Sequence, residues 1–365
     1  MNQIVCLSAM PWSAVPGRTQ QLMARMRNAE VLYFEPAPAG RSGVLADRGR
    51  RVRPNVTLYT MSCGLADDKL PGLLLVRRRR KAADFISGKL KRHGFRRPVL
   101  WLTRPEQVFL LDDLSYSGLV YDCDRYWPDE IAREEGALAA AADVVFTVSR
   151  GILDRLSPCN KNLVLLPNGV NYPMFSRTQF DCPSELRGLE GPVFGFAGAV
   201  VPKLDLAPLE TAAREHPDWN ILLVGRPGKH SRLQNLAELP NVRLTGVRSL
   251  TELPDYIGRF DVCLALKRTD EKGSDIIPDY IYQYFSTGKP VVSMLWPDEV
   301  EEYPDVIYGA HTPQEYVHLC SEALAEDKNW VAGRRRDYGK AAAWSARSEE
   351  AIRILGDIGL YREEK

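Results

Sequence analysis

The chain has 365 residues, which by the usual size prior makes about two domains, each large enough for its own core. Its 48 Lys+Arg are balanced by 47 Asp+Glu, a formal charge of +1, so no overall basic field points to nucleic acid as the main partner. Seven dispersed cysteines without a C-x-x-C pair argue against both a disulfide framework and structural zinc, and no window reaches the ~18 apolar residues that span a bilayer.

The start "MNQIVCLSAMPWSAVPG" lacks a signal-peptide pattern, so a cytoplasmic protein, soluble or peripheral, is expected. Short β-rich runs then alternate with helical ones: "IVCLSA", "RTQQLMARMRN", "VLYFEP", followed by "VTLYT", "PVLWLT", "GLVYDC", "VVFTVS" and "LVLLP". The second half repeats the rhythm as "VFGFAGA", "LDLAPLETAAREH", "NILLVG", "VRLTG", "DVCLAL", "PDYIYQYFSTG", "PVVSML" and "VIYGA". This alternation predicts an α/β chain of two doubly wound, Rossmann-like domains in tandem, facing a cleft. We place the first in residues 1–182 and the second in 183–340. A linker covers 171–192 with its hinge near Pro183 to Pro192, and a closing helix with the tail, 341–365, crosses back over both domains. Ligands of open parallel sheets bind beyond the carboxyl ends of the strands, so the residues just after each strand are the candidates.

Two segments stand out. "SDIIPDYIYQYFSTGKPVVS" (274–293) reads as a short helix that starts at Pro278 and stops at Gly288. Ile277, Ile281 and Phe285 form its core face, with Asp279 and Gln283 on a polar face opposite. Its N-terminus is suited to a phosphate, although Asp275 and Asp279 compete for the partial positive charge there. "LLLVRRRRKAADFISGKLKRHGFRR" packs ten Lys/Arg into residues 77–97 around Phe85, Ile86 and Leu90. That pattern suits an anionic bilayer; nothing accompanies it that would stack or read nucleic acid.

"PDYIYQYFSTGKPVVS", with "ADVVFTVSRGILDRL", "LVLLPNGVNYPMF" and "PWSAVPGRTQQLMARMRNAEVLYFEP", resembles the GT-B glycosyltransferases. The closest pattern is that of the family 4-like enzymes of teichuronic acid or exopolysaccharide biosynthesis, and the likeness runs in order from Trp12 to Trp344. It implies a retaining hexosyltransferase that moves a sugar from a nucleotide-sugar to a glycan acceptor, lipid-linked, at the cytoplasmic face of the inner membrane, with no cofactor and no metal ion. The family's Glu-x7-Glu pair falls on Asp275 and Gln283; Gln283 can still hydrogen-bond a ribose hydroxyl, and the xanthan glucuronosyltransferase type also resembles this chain in carrying Gln there. Ile276 lies between them on the same donor side. In "GFAGAVVPKLD", Gly195 and Gly198 imply close backbone approach to the donor, while Ala199 stands where an arginine is common and Lys203 approximates the family's lysine. Substitute cations are Arg226, Lys229, Lys267 and Arg268. Trp12, Ser13 and Arg18, just after the first strand, are expected to line the acceptor side. In "VYDCDRYWPDE", Asp124 is the candidate base or sugar contact with Asp122 beside it; this D-x-D is a weak metal signal in this fold.

Two other readings stay open: a sugar epimerase of the same fold, and a non-catalytic binding partner in a glycan assembly complex, the latter favoured by the altered donor residues. A nicotinamide-dependent oxidoreductase is disfavoured because no G-x-G-x-x-G opens a helix after a strand.

Overall fold

The structure, a computed structural model, describes all residues except 14–15, 37–47, 62–71, 230–231, 269–272, 295–302, 304, 328 and 363–365. The chain divides into two units, Met1–Pro167 with Ser345–Lys365, and Asn168–Trp344.

The first unit is built on an eight-stranded sheet: β1 (Asn2–Leu7), β2 (Ala29–Glu35), β3 (Arg50–Arg53), β4 (Val56–Thr60), β5 (Val99–Leu102), β6 (Gly118–Cys123), β7 (Val144–Thr147) and β8 (Leu163–Leu165). They lie in the order β3-β4-β2-β1-β5-β6-β7-β8, every neighbouring pair parallel except β3 with β4. Strands β5, β6 and β7 are buried at every residue, as expected where helices cover both faces of a parallel sheet. The antiparallel edge strand β3 reads RRVR, and its charges discourage pairing with a further strand.

The basic helix Gly72–Arg92 covers one face, and it differs from the sequence expectation. Ile86 and Leu90 are buried with Ala82 and Ala83, and the Phe85 ring meets Phe34 and Tyr59 edge-to-face at 6.1 and 6.4 Å. These apolar side chains therefore anchor the helix to its own sheet and are not offered to a membrane. From Ser345 onward the chain belongs to the first unit. Ser348 Oγ donates to Leu22 O at 3.4 Å, and Arg362 N donates to Asn2 Oδ1 at 2.8 Å.

Within this sheet, Asp122 of β6 is fully buried and paired with Arg18, whose Nε and Nη2 lie 2.9 and 2.8 Å from Oδ1. Trp101 Nε1 donates to Oδ2 at 3.4 Å, and Arg18 Nη1 donates to Pro167 O at 3.1 Å. Burial pushes the Asp122 carboxyl up and the Arg18 guanidinium pulls it back down.

The second unit holds β9 (Val193–Ala197), β10 (Asn220–Val224), β11 (Val242–Gly246), β12 (Val262–Ala265), β13 (Val291–Met294) and β14 (Ile307–Ala310), all parallel, in the order β11-β10-β9-β12-β13-β14. Residues expected to form a linker are instead packed here, with Phe175 and Leu186 buried in the unit's core. The aromatic helix Asp279–Thr287 ends at Gly288 in the left-handed conformation (φ 80°), as the sequence implied, and every residue from Tyr280 to Thr287 is buried. Its second side is covered by the helix Asn329–Ala341. A Cβ on Gly339 there would stand 2.7 Å from Ser286 Oγ and 2.8 Å from Ser286 N, so the two helices meet at contact distance. Buried Arg335 of the same helix pairs with Glu326 (2.7 and 2.8 Å) and donates to Val306 O at 2.8 Å.

Removing one member of a buried ion pair strands the other, at a cost of about 3–5 kcal/mol, whereas an apolar pair of similar volume is near neutral. Asp122→Ala should therefore lower stability by that amount in urea titration, and the double change Arg18→Met, Asp122→Leu should recover most of it. A wild-type midpoint for Asp122→Ala would mean that the pair does not hold the sheet.

Candidate functional site

In the second sheet the strand order turns back between β9 and β12, so a crevice is expected beyond their carboxyl ends. The loops there are tied together through the backbone. Gly198 N donates to Val224 O (2.8 Å), Val200 N to Arg226 O (3.0 Å), Asp205 N to Leu266 O (2.6 Å) and Arg268 N to Lys203 O (3.1 Å). Gly225 has φ +149°, and a Cβ on it would lie 1.9 Å from Gly198 O, so glycine is required for this approach. Lys203, Arg226, Lys229 and Arg268 are all exposed on these joined loops. The cations proposed from sequence as substitutes are thus carried on one continuous backbone framework.

Lys267 and Gly195 differ from expectation. The Lys267 ammonium donates to Gly273 O (2.5 Å) and Ile276 O (2.6 Å), which fixes the loop entering the aromatic helix. Gly195 lies in β9 under the ring of Phe260, where a Cβ would come within 2.2 Å of Cδ1; it serves packing, not ligand approach. Gly198 sits at the strand end, partly exposed.

Asp275 and Ile276 are half-buried in the loop before the helix, and Asp279 is exposed at its first residue. The helix is held at both ends of this region. Asn168 Nδ2 donates to Ile277 O at 3.1 Å, and Ala197 N at the end of β9 donates to the Tyr284 hydroxyl at 2.8 Å. Ser286 Oγ and Thr287 Oγ1 return to the helix carbonyls of Tyr282 and Tyr284, each at 2.7 Å. The expected solvent-facing polar side is therefore absent beyond Asp279. Gln283 is only 9% exposed, and its Oε1 has no hydrogen-bond partner among the described residues. Sequence reasoning missed Tyr284, whose aromatic neighbours made it one core residue among several.

In the first sheet the order turns between β1 and β5. Ala9 N donates to Thr103 Oγ1 (2.7 Å), and Gln107 Nε2 to Leu7 O (3.0 Å), which join the loops after those strands. Trp12 is half-buried; its backbone N–H donates to Glu35 Oε2 (2.7 Å) and its ring meets Tyr33 edge-to-face at 5.0 Å. Ser13 is exposed. Arg18 and Asp122 are both committed to the buried pair, so neither is an acceptor-facing group, and Asp122 is no base for a hydroxyl at 0% exposure. Asp124 lies just past β6, partly exposed, and accepts two hydrogen bonds from Arg125 (2.7 and 2.9 Å). Among the described residues no His, Cys, Asp and Glu cluster is arranged to hold a metal ion.

No protein-family model matches the chain. It is 26% identical over 287 residues, 71% of this chain and 72% of the other, to TuaH of Bacillus subtilis (strain 168), to which a glycosyltransferase role in teichuronic acid biosynthesis is provisionally assigned. Among solved structures it is similar to the sucrose-phosphate synthase of Thermosynechococcus elongatus (TM-score 0.74, 14% identity, 98% of this chain and 99% of that one). It is also similar to Anabaena HepE in complex with UDP and glucose (TM-score 0.68, 16% identity, 98% and 100%). An Escherichia coli protein described as trehalose-6-phosphate bound with UDP-2-fluoro glucose gives TM-score 0.74 at 10% identity, covering 98% and 99%. The fold is that of the GT-B glycosyltransferases, and the likeness to TuaH supports a place for this chain among them.

Proposed function

We propose that the protein transfers a hexosyl group from a nucleotide-sugar, UDP-linked, to a lipid-linked glycan in bacterial polysaccharide or cell-envelope assembly. The observation that carries this reading is the buried, unpartnered Oε1 of Gln283 on a helix entered from the joined strand-end loops. A buried acceptor without a donor costs about 1–3 kcal/mol, and a ribose hydroxyl is a donor of the right kind. The choice of UDP follows the ligands of the two GT-B neighbours, and the choice of acceptor follows the role assigned to TuaH. In the reaction the acceptor oxygen bonds to the anomeric carbon from the same face that the diphosphate oxygen leaves, as the bond to that oxygen breaks, so the anomeric configuration is kept and the diphosphate departs with the electron pair. The hydroxyl proton passes to a base, for which Asp124 is the candidate, once Arg125 releases one of its oxygens. Lys203, Arg226 and Arg268 would neutralise the diphosphate, taking the place of the arginine absent at Ala199.

A thermal-shift screen with UDP-, GDP- and other nucleotide-sugars tests the donor reading, since a ligand bound to the folded state raises its Tm. Gln283→Met, close in volume and without the unmet acceptor, should keep or raise the Tm of the free protein. It should also weaken nucleotide binding about five-fold, the equivalent of ~1 kcal/mol for one neutral hydrogen bond. Unchanged affinity would remove Gln283 from the donor site. Asp124→Asn should leave nucleotide affinity unchanged and cut transfer roughly 100-fold or more; full turnover in that variant would sink its role as base. Transfer should retain the anomeric configuration of the donor, read by proton NMR of the product, and an inverted product would overturn that part of the reading. Nucleotide-sugar binding with neither transfer nor hydrolysis would favour a non-catalytic partner.

A further inference from the structure

The basic helix Gly72–Arg92 has two halves with different surroundings. Its buried residues are Ala82, Ala83, Ile86 and Leu90, and none of the residues from Gly72 to Lys81 is buried. In that first half Leu73, Leu74 and Val76 are 69%, 46% and 59% exposed, an apolar cluster on the helix's opening turn. Arg77, Arg80 and Lys81 are exposed just after it. At 100° per residue, Leu73, Arg77 and Arg80 share one face, with Leu74 and Lys81 beside them. The helix as a whole carries Arg77, Arg78, Arg79, Arg80, Lys81, Lys89, Lys91 and Arg92 against the single acid Asp84, in a chain whose formal charge is +1. Part of that charge is turned inward: Arg79 stacks on the Phe109 ring at 3.3 Å, and Lys89 lies 4.8 Å from the rings of Tyr59 and Phe85. Three of the helix's exposed cations, Arg77, Arg80 and Lys81, therefore stand next to the exposed leucines, and Lys91 and Arg92 are exposed at its other end.

Three adjacent bulky apolar side chains held in water on a helix end, bordered by cations, form an amphipathic surface whose complement is apolar below and negative around it. We propose that the first two turns of this helix, through Leu73, Leu74 and Val76 with Arg77, Arg80 and Lys81, dock the first unit on an anionic lipid bilayer. The apolar trio enters the boundary between headgroups and acyl chains, and the cations meet the lipid phosphates. Such a surface reads charge and apolar depth together, which neither a nucleic acid nor a neutral bilayer supplies. The proposal does not depend on the transfer reaction, and its test involves no donor or acceptor.

Co-sedimentation of the full chain with vesicles of phosphatidylcholine, alone or mixed with phosphatidylglycerol, decides it. Binding is expected to the mixed vesicles and to weaken as salt rises, because each surface cation carries roughly a five-fold share of the affinity. Leu73→Ser with Leu74→Ser should weaken it at every salt concentration. Arg77→Ala, Arg80→Ala and Lys81→Ala together should abolish the preference for the anionic lipid. Since all five side chains are exposed, far-UV circular dichroism and urea midpoints should match the wild type. No binding, equal binding to neutral vesicles, or wild-type binding by the double leucine variant would each overturn the proposal. So would displacement of bound vesicles by a DNA or RNA oligonucleotide of matched charge, which would assign the surface to nucleic acid.

Discussion

The arrangement of the second unit depends on one charged side chain used for architecture. Lys267, just past β12, gives two charge-assisted hydrogen bonds to the carbonyls of Gly273 and Ile276, and bonds of that kind contribute about 1.5–3 kcal/mol each. Those carbonyls belong to the segment that leads into the aromatic helix, so the ammonium sets where the helix begins. The same residue forms a bridge with Leu204, which brings in the loop after β9. Strand ends, loops and helix start thus become one body. A lysine held by carbonyls in this way is spent as a counter-charge for a diphosphate, and in the donor site we propose that task would fall to the exposed cations on the joined loops.

The aromatic helix is fixed from three directions. The Ala197 amide bonds the Tyr284 hydroxyl from the sheet, Asn168 holds the Ile277 carbonyl at its entrance, and Gly339 admits the covering helix to contact distance with Ser286. Inside this frame the hydroxyls of Ser286 and Thr287 are satisfied by their own helix. Gln283 stands apart, because its carbonyl oxygen is buried in the same frame and accepts from nothing described there. A rigid surround makes such an atom costly to leave unmet and effective when a donor arrives, since nothing has to reorganise.

Much of this was legible from the alternation of apolar runs, because strands buried on both faces read as unbroken hydrophobic segments and the crossovers between them as helices. The limits of that reading are instructive. Periodicity placed Ile277, Ile281 and Phe285 inward correctly, but the second side of the helix is closed by Asn329–Ala341, and the signal for that, a lone glycine at 339, has no meaning until its partner is known. Phe85, Ile86 and Leu90 suggested a lipid-facing stripe because the sequence does not tell a sheet from a bilayer as the cover of an apolar face. Asp122 was open to a better reading: an acid inside the run "GLVYDC", on a strand buried along its length, calls for a buried cation, and Arg18 supplies it.

The acidic groups near the helix start constrain how a nucleotide-sugar would lie. A carboxylate at a first helical residue is favoured by the helix dipole by roughly 0.3–1 kcal/mol, and it repels a phosphate that would use the same amides. Asp279 is exposed at that position, with Asp275 four residues before it. The exposed cations and the close-packed glycines lie instead on the loops after β9 and β10, where Gly225 lets one backbone approach the other. Charge therefore divides the two ends of the region into different tasks. In the donor site we propose, the diphosphate would lie with the glycine loops and with Lys203 and Arg226, and the helix start, rich in acceptors, would suit the hydroxyl groups of a sugar.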